Sequence, residues 1–596
     1  SVEVGSTPNR SRWSGYTYNS YAKSFEIAYE IANRRNLEVA GPNITDFEPF
    51  YNIIFLSLLR SRGCLPDIHS DNLFVERVME PEAYDYRVAG TLGVRFLHFD
   101  LAGKCEMLRQ ISNRFGIAKT FCTHTAWSGR RIARLQDDVE EKQADYLVRY
   151  LMLAASRGAF ERVYWGPLVG RREGLIDDGS SNYPALPRVV LFDRLFGDVR
   201  HYRERVAYYA MRSLVQLLAG AKVTARHRDE SGRQMLEFMR ADGERVHAVW
   251  TRDRRAAEPR SGYSEQVLRA ARVFDRDGNE IRSNLFAFSE KPIFLIWPDG
   301  YGPVSSDLRA GHDACGIRVC SKRDFRFAPW SDRAWRGAIA LAPDEDIDER
   351  AQTLLPPRLE SAHVVSVLRH ARNRVWVIDD PARSRSLLSI KRSTTHRYAP
   401  RNALLSWNNS SEMLRRGVIT PMPLAFFEPV GRHARHFSYF VSDYVENAWT
   451  ARQAFNAFRD RKSEYRGFRK QDVYAATAKF LLKMHGRGVF HRDLSAGNLL
   501  MRASEQAQVL DLWVVDTSRA RFFSKPLRIE YRIADLIRLC HPLDWSNREE
   551  FAGLYFELLG TSLTTWRRLP FTYYDWKHLL KNRLRTIRRI ARSPVH

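Results

Sequence analysis

"GVFHRDLSAGNLLM", residues 488–501, is the stretch on which the reading of this chain turns. Within it, "HRDLSAGN" places Asp493 five residues ahead of Asn498, with His491 and Arg492 directly before the aspartate. Phosphoryl transfer needs a group that accepts or orients the attacking hydroxyl, oxygen ligands for magnesium, and a cation on the nucleotide phosphates. Asp493 is the candidate for the first task and Asn498 for a metal ligand, while His491 and Arg492 would brace the loop. Chance is a poor explanation for so long an ordered string.

Working outward, "LDLWVVDTSRA" (510–520) offers two aspartates as the second metal ligand. Asp516 directly follows an apolar run that a strand would carry to the site, whereas Asp511, five residues earlier, would face the other way on a continuous strand. Upstream, "SLLSIKRS" (386–393) puts Lys391 at the end of a β-rich run, suited to nucleotide phosphates.

The strings "IKRS", "EMLRRGVITPMPLAFF", "HRDLSAGNLLM" and "VVDTSRARF", in this order, resemble the lipopolysaccharide core heptose/Kdo kinase family over roughly residues 360–596. The resemblance implies a kinase-like bilobal α+β fold, ATP with Mg2+ as cofactors, and a glycolipid hydroxyl as acceptor. Two positions depart from the family's pattern. The hairpin "RHARNR" (369–374) has no glycine to let backbone approach phosphates, and Ser406 stands where the pattern places a helix glutamate. Glu412, six residues on, lies about 600° round a helix at roughly 100° per residue. A protein kinase fits less well, since only 80 residues follow Asp516 and none form an A-P-E string. A pseudokinase used as a binding module is the bland alternative.

The first 222 residues alternate short apolar runs with amphipathic helical stretches, which argues for parallel strands with crossover helices. "VEVGSTPNRSRWSGYTYNSYAKSF" (2–25), "VAGPNITDFEPFY" (39–51), "DIHSDNLFVERVMEPEAYDYR" (67–87), "KTFCTHTAWSG" (119–129) and "ERVYWGPLVG" (161–170) resemble strands four to eight of clan A (β/α)8 glycoside hydrolases. Retaining glycosidases flank the scissile bond with two carboxylates. Here the acid/base position is Thr7 and the nucleophile position His124, so the resemblance implies a degenerate barrel that holds glycan without cleaving it. Trp13, Tyr16, Trp127 and Trp165 are candidates for stacking on sugar rings, with barrel packing as their ordinary role. Asp46 and Glu48 are read as caps of the following helix. Strands one to three fall outside these motifs, so a longer chain or another element is expected to close the sheet.

The expected architecture is therefore multidomain α/β: a (β/α) barrel portion over 1–222, a β-sandwich accessory domain over 223–340 where turn-punctuated short strands begin, an acidic, Pro-containing linker over 341–358, and the kinase-like domain over 359–596.

Charge and cysteines bound the partners. With 94 Lys+Arg against 69 Asp+Glu the net charge is +25 and the pI about 9.9, implying an anionic partner. The basic residues are spread along the chain with no nucleic-acid-binding signature, which favours an anionic glycan or glycolipid over nucleic acid. Cys64, Cys105, Cys122, Cys315, Cys320 and Cys540 show no metal-ligand pairing and read as free thiols. No apolar run approaches the roughly 20 residues needed to span a bilayer; "NIIFLSLL" (52–59) is far too short. Near the C-terminus, "WKHLLKNRLRTIRRIARS" (576–593) spaces Leu579, Leu580, Leu584, Ile587 and Ile590 helically among Lys and Arg. Such a helix suits peripheral contact with an anionic membrane, or packing against its own domain with a solvated basic face.

The function expected from these readings is ATP-dependent phosphorylation of a sugar hydroxyl in a bacterial envelope glycan, in the cytoplasm at the inner membrane face. A non-catalytic glycan-binding scaffold and a glycoside hydrolase with atypical catalytic residues are the alternatives.

Overall fold

Residues 2–3, 39–45, 68–72, 119–125 and 162–165 form five parallel strands, β1 to β5, hydrogen-bonded in sequence order. The computed structural model describes residues 1–73, 80–82, 100–170, 173–179, 198–228, 232–252, 262–282, 286–298, 301–303, 326–342, 345–370, 373–383, 386–394, 402–430, 437–504 and 509–590, without the side chains of 130, 326 and 578–590. The chain divides into two units, residues 1–133 with 138–316 and residues 134–137 with 317–596.

In the first unit, helices Tyr18–Arg34, Pro49–Ser61, Leu101–Phe115 and Val139–Ala155 alternate with the strands. Their ends follow local chemistry. Thr17 and Ser20 form a capping box, Asp100 accepts the Gly103 N–H at 2.8 Å, and Gly116 closes its helix at φ +76°. Among the described residues β1 does not pair with β5, so the expected barrel is an open five-stranded sheet.

The segment expected as a sandwich is, over the described residues, one six-stranded antiparallel sheet in the order 280–281, 272–275, 293–297, 245–251, 233–239, 222–228. Its alternation explains why it needs no partner sheet. Leu236, Phe238, Val246, Ala248, Trp250, Phe294 and Ile296 join one core with helices 139–155 and Val206–Leu218. Met235, Val249, Ile293, Leu295 and Trp297 join another core on the opposite face. Buried ion pairs also tie the sheet region to helix 139–155, with Lys142 on Glu290 and Arg276 on Asp145.

The boundary expected at residue 340 is displaced. Strand Arg326–Ser331 pairs with Trp335–Leu341, which pairs in turn with Pro423–Pro429, so both enter a seven-stranded antiparallel sheet continued by Phe437–Asp443, Leu387–Thr394, Arg374–Asp379 and Val364–His370. The stretch expected as a linker folds into helices Ile347–Leu354 and Pro356–Ser361, the first capped by Asp346. The second unit also holds helices Asn402–Arg415, Ala451–Arg459, Lys470–Gly486, Ile529–Cys540, Trp545–Leu558 and Thr565–Ile590 and the antiparallel strand pair Leu499–Ala503 and Leu510–Val514. The last helix buries Phe571 and pairs Asp575 with Arg548, so its first half packs on its own unit; the side chains of Leu579, Leu580, Leu584, Ile587 and Ile590 lie outside the described residues.

Cys64, Cys105, Cys122 and Cys540 are free and buried, and Cys315 and Cys320 lie outside the described residues. Among the described residues no helix is long and apolar enough to cross a membrane.

Where the linker was expected, Arg350 binds Asp380 through two parallel hydrogen bonds of 2.7 Å, with both side chains fully buried. Burial pushes the Asp380 carboxyl up, but the Arg350 guanidinium and the Ala382 N–H hold it below the usual carboxylate value. Its stabilisation is thus present above the unfolded carboxylate range and is lost as pH falls through the folded value. Breaking a buried pair strands one charge, at about 3–5 kcal/mol. We expect Asp380→Ala to destabilise the second unit by about that amount at neutral pH, and by less in acid, in denaturant unfolding at pH 7 and pH 4.

Candidate active site

The loop opening at Gly488 is shaped from below. Gly488 adopts φ +71°, and a Cβ there would meet the Phe523 carbonyl oxygen at 2.4 Å, so glycine is required. Beneath the loop, the buried Asp535 carboxylate of helix 529–540 accepts the backbone N–H groups of His491 and Arg492, each at 2.9 Å. Arg492 takes φ +68°, a strained conformation for a long side chain that these two bonds over-determine. His491, fully buried, donates from Nε2 to the Val515 carbonyl at 3.0 Å. Asn498 donates to the Asp493 carbonyl at 2.9 Å, and its own carbonyl accepts the Val515 N–H at 2.9 Å. One bonded network thereby joins the 491–498 loop to Val515, which follows strand Leu510–Val514 and directly precedes Asp516.

Lys391, 125 residues before Asp516, places Nζ 2.6 Å from the Asp516 carboxylate. Asp516 sits in the left-handed region at φ +58°, which a short polar side chain tolerates. Burial pushes its carboxyl up, but Lys391, with smaller help from His491 and Arg369, holds it below the usual value. Asp511 lies opposite Arg502 in the strand pair and is directed at that side chain, 3.9 Å away, rather than at Lys391.

Ser406 and Glu412 behave differently from a kinase helix glutamate. Ser406 is buried and its carbonyl accepts the Thr517 hydroxyl at 3.2 Å. Asn409 donates to the Thr517 carbonyl at 2.8 Å and the Ser410 hydroxyl meets that of Thr517 at 3.0 Å. Helix Asn402–Arg415 is thus held to the turn after Asp516 by neutral hydrogen bonds. Glu412 is buried in pairs with Arg415 and Arg416.

Four residues escaped the sequence reading. Asp535 left a usable signal, a carboxylate at helical spacing among the buried positions Arg532, Leu536 and Leu539. Arg369, from the glycine-free hairpin, shares a cross-strand row with Val375 and Lys391, so both cations project from one sheet face. Arg519 and Arg538 both reach Asp493, Arg519 at 3.1 Å on Oδ2 and Arg538 at 2.7 Å on Oδ1. Nothing local marked either one, because Arg538 comes from a helix 45 residues away.

In the open parallel sheet, a polar row runs across four strands. Asn72 donates to Asn43 at 2.8 Å, Asn43 to Thr123 at 3.0 Å, and Thr123 to Glu3 at 2.7 Å. The Thr7 N–H binds Asn43 at φ +51°, while His124 lies against Gly166, where a Cβ would come within 2.8 Å of Nδ1. Trp13 is exposed, Tyr16 packs edge-on against Tyr21, and Trp165 is half-buried. Trp127 contradicts the expected sugar contact: it is 1% exposed, and Trp165 stacks against it at 6.0 Å. Asp46 and Glu48 lie before helix 49–61, where caps were expected. Both bind Arg10, at 3.1 and 2.6 Å, and Glu48 makes no capping bond.

Residues 372–582 match the family described as lipopolysaccharide kinase (Kdo/WaaP). No curated protein matches the chain. Among solved structures, WaaP in complex with acyl carrier protein is 22% identical, over 34% of this chain and 81% of that one, with a TM-score of 0.26. A family 39 glycoside hydrolase from the gut symbiont Bacteroides cellulosilyticus WH2 is 15% identical, over 47% of this chain and 62% of that one, with a TM-score of 0.32. The Rio2 kinase from Chaetomium thermophilum is 15% identical, over 42% of this chain and 83% of that one, with a TM-score of 0.22.

The deeply buried carboxylate of Asp71, in the third strand, is no substitute for a catalytic pair. Asp71 accepts from Asn52 of helix 49–61 at 2.9 Å, and Asn52 in turn meets His69 at 2.7 Å. Burial pushes Asp71 up to about 8 and His69 down to about 4, so both are largely uncharged at neutral pH. A folded chain that holds a proton the unfolded chain releases loses stability as pH rises from about 4 to about 8. We expect Asp71→Asn to flatten that slope and to raise the melting temperature more at pH 8 than at pH 5, by scanning calorimetry.

Proposed function

We propose, from the premise that residues 372–582 carry a lipopolysaccharide kinase (Kdo/WaaP) family domain, that the chain transfers the terminal phosphate of ATP to a sugar hydroxyl of a bacterial envelope glycan. The observation that carries this reading is the 2.6 Å contact between Lys391 and Asp516, beside a loop that tethers Asn498 to the backbone of Asp493. Asp493 accepts or orients the acceptor hydroxyl, and Lys391 binds nucleotide phosphates. His491, Arg492 and Asp535 hold the loop in register. Asn498 and Asp516 offer an amide and a carboxylate oxygen, hard donors that fit Mg2+. When bound, that ion neutralises charge that builds on the transferring phosphoryl group. Lys391 then trades its present carboxylate partner for phosphate oxygens, which a flexible ammonium can do.

The open parallel sheet is assigned the task of holding glycan without hydrolysing it. Threonine cannot serve as a proton donor near neutral pH and histidine does not form the usual glycosyl ester, so Thr7 and His124 fill neither role. The net charge of +25 suits an anionic glycan or glycolipid, and the basic helix 565–590 suits the inner face of an anionic membrane. The rival reading, a non-catalytic glycan-binding scaffold, draws its support from Ser406, which leaves Lys391 without a helix glutamate.

Phosphate transfer from labelled ATP to purified core oligosaccharides checks the proposal. Native protein is expected to show Mg2+-dependent labelling that falls roughly 10²–10⁴-fold in Asp493→Ala. Equal labelling by the two would remove the kinase reading, and oligosaccharide binding without any Mg2+-dependent turnover would favour the scaffold.

A further inference from the structure

Asp493 does not face open solvent alone. Each of its carboxylate oxygens accepts a guanidinium N–H, Oδ1 from Arg538 and Oδ2 from Arg519, at 2.7 and 3.1 Å. The two arginines come from separate elements, the turn Thr517–Arg519 and helix 529–540, and both keep solvent exposure, at 66% and 39%. Arg452 adds a third guanidinium to this loop, 3.3 Å from where a Cβ on Gly497 would stand. One carboxylate is thus surrounded by more positive charge than it neutralises.

This arrangement is at odds with a residue whose only task is to receive a hydroxyl. Arginines that merely shaped the loop would be buried and would bind backbone, as Arg416 does on the Arg487 and Phe523 carbonyls. Exposed forks that converge on one reactive carboxylate are instead placed to exchange it for another anion. Resting on the kinase reading above, we propose that Arg519 and Arg538 form a receptor for a negatively charged substituent of the acceptor sugar and that they cap Asp493 until this substituent arrives.

Geometry limits where the charge sits on the acceptor. The hydroxyl must come within hydrogen-bond reach of Asp493, and the anion must accept from guanidiniums already 2.7 and 3.1 Å from the same carboxylate. Three successive hydrogen bonds span at most about 10 Å, so the charge belongs to the phosphorylated sugar or its direct neighbour. A carboxylate and a phosphate monoester share the needed chemistry. As the acceptor's anion takes over the two forks, the carboxylate oxygens of Asp493 turn to the hydroxyl and take its proton, while the hydroxyl oxygen bonds to the terminal phosphorus of ATP and the bond from that phosphorus to ADP breaks, releasing ADP.

The test compares the full chain with Arg519→Gln, Arg538→Gln and the double variant. Acceptors are three matched saccharides: neutral, carboxylated, and phosphorylated beside the reactive hydroxyl. We expect KM for a charged acceptor to rise about tenfold or more per arginine, in line with the strength of charge-assisted bonds, while KM for the neutral one stays within about twofold. ATP hydrolysis without acceptor is expected to rise in the double variant, because its Asp493 is uncapped and open to water. The two charged saccharides tell a carboxylate receptor from a phosphate receptor. Equal losses on neutral and charged saccharides would mark the arginines as structural and overturn the proposal, as would no change in KM. Calorimetric binding of the charged saccharides keeps this question separate from the kinase reading. If native protein transfers no phosphate to any acceptor, a charge-dependent affinity lost in the double variant still supports the receptor, and unchanged affinity overturns it.

Discussion

A buried carboxylate with two backbone N–H groups above it organises the second unit. Asp535 takes the amides of His491 and Arg492 at 2.9 Å each, and the chain above it has little freedom left. The left-handed turn at Arg492, the side chain of Asp493 just beyond it, and the amide of Asn498 bonded back to Asp493 all follow from that anchor. A charge taken out of water is tolerated only when its lone pairs are met by donors. Asp535 also lies 3.5 Å from His485, whose imidazole burial keeps below its ordinary value despite that carboxylate. The anchor and the reactive loop therefore form one polar unit inside an apolar core made by Leu494, Leu499, Leu536 and Leu539.

The opposing side of the site comes from sheet geometry. Lys391 and Arg369 share a row because antiparallel pairing aligns residues 369, 375 and 391, and Lys391 then spans to Asp516. The hairpin that has no glycine thus contributes the Arg369 cation to the sheet face that carries Lys391.

Much of this was legible in the residues, and the exceptions have physical causes. The β/α alternation from 1 to 222 matched the order of strands and long helices in the parallel sheet, because period-two and period-3.6 patterns are local signals, although the third strand lies at Ile68–Asn72, ahead of the apolar run at 71–75. The residues 391, 493, 498 and 516 were named from motif strings, and the structure draws them into one network. Sheet membership was not legible at 326–341, since a strand's alternation says which face it buries and not which sheet it joins. The acidic, Pro-containing composition of 341–358 points to a linker, although Asp346 caps a helix and Arg350 pairs with Asp380 across 30 residues. Glu48 sat where a cap is expected, yet Arg10, reached only through the fold, competes better for its carboxylate than the helix N–H groups do.

The docking of helix 402–415 has a consequence of its own. Kinase-like sites that clamp this helix with a lysine–glutamate pair make its position depend on Coulomb attraction, which dissolved ions weaken. Here Asn409, Ser410 and Thr517 do the clamping through uncharged groups that are themselves buried. The helix should keep its place across a wide range of ionic strength, so that salt reaches this chain's chemistry through the exposed arginines around Asp493 and leaves the frame that carries them unmoved.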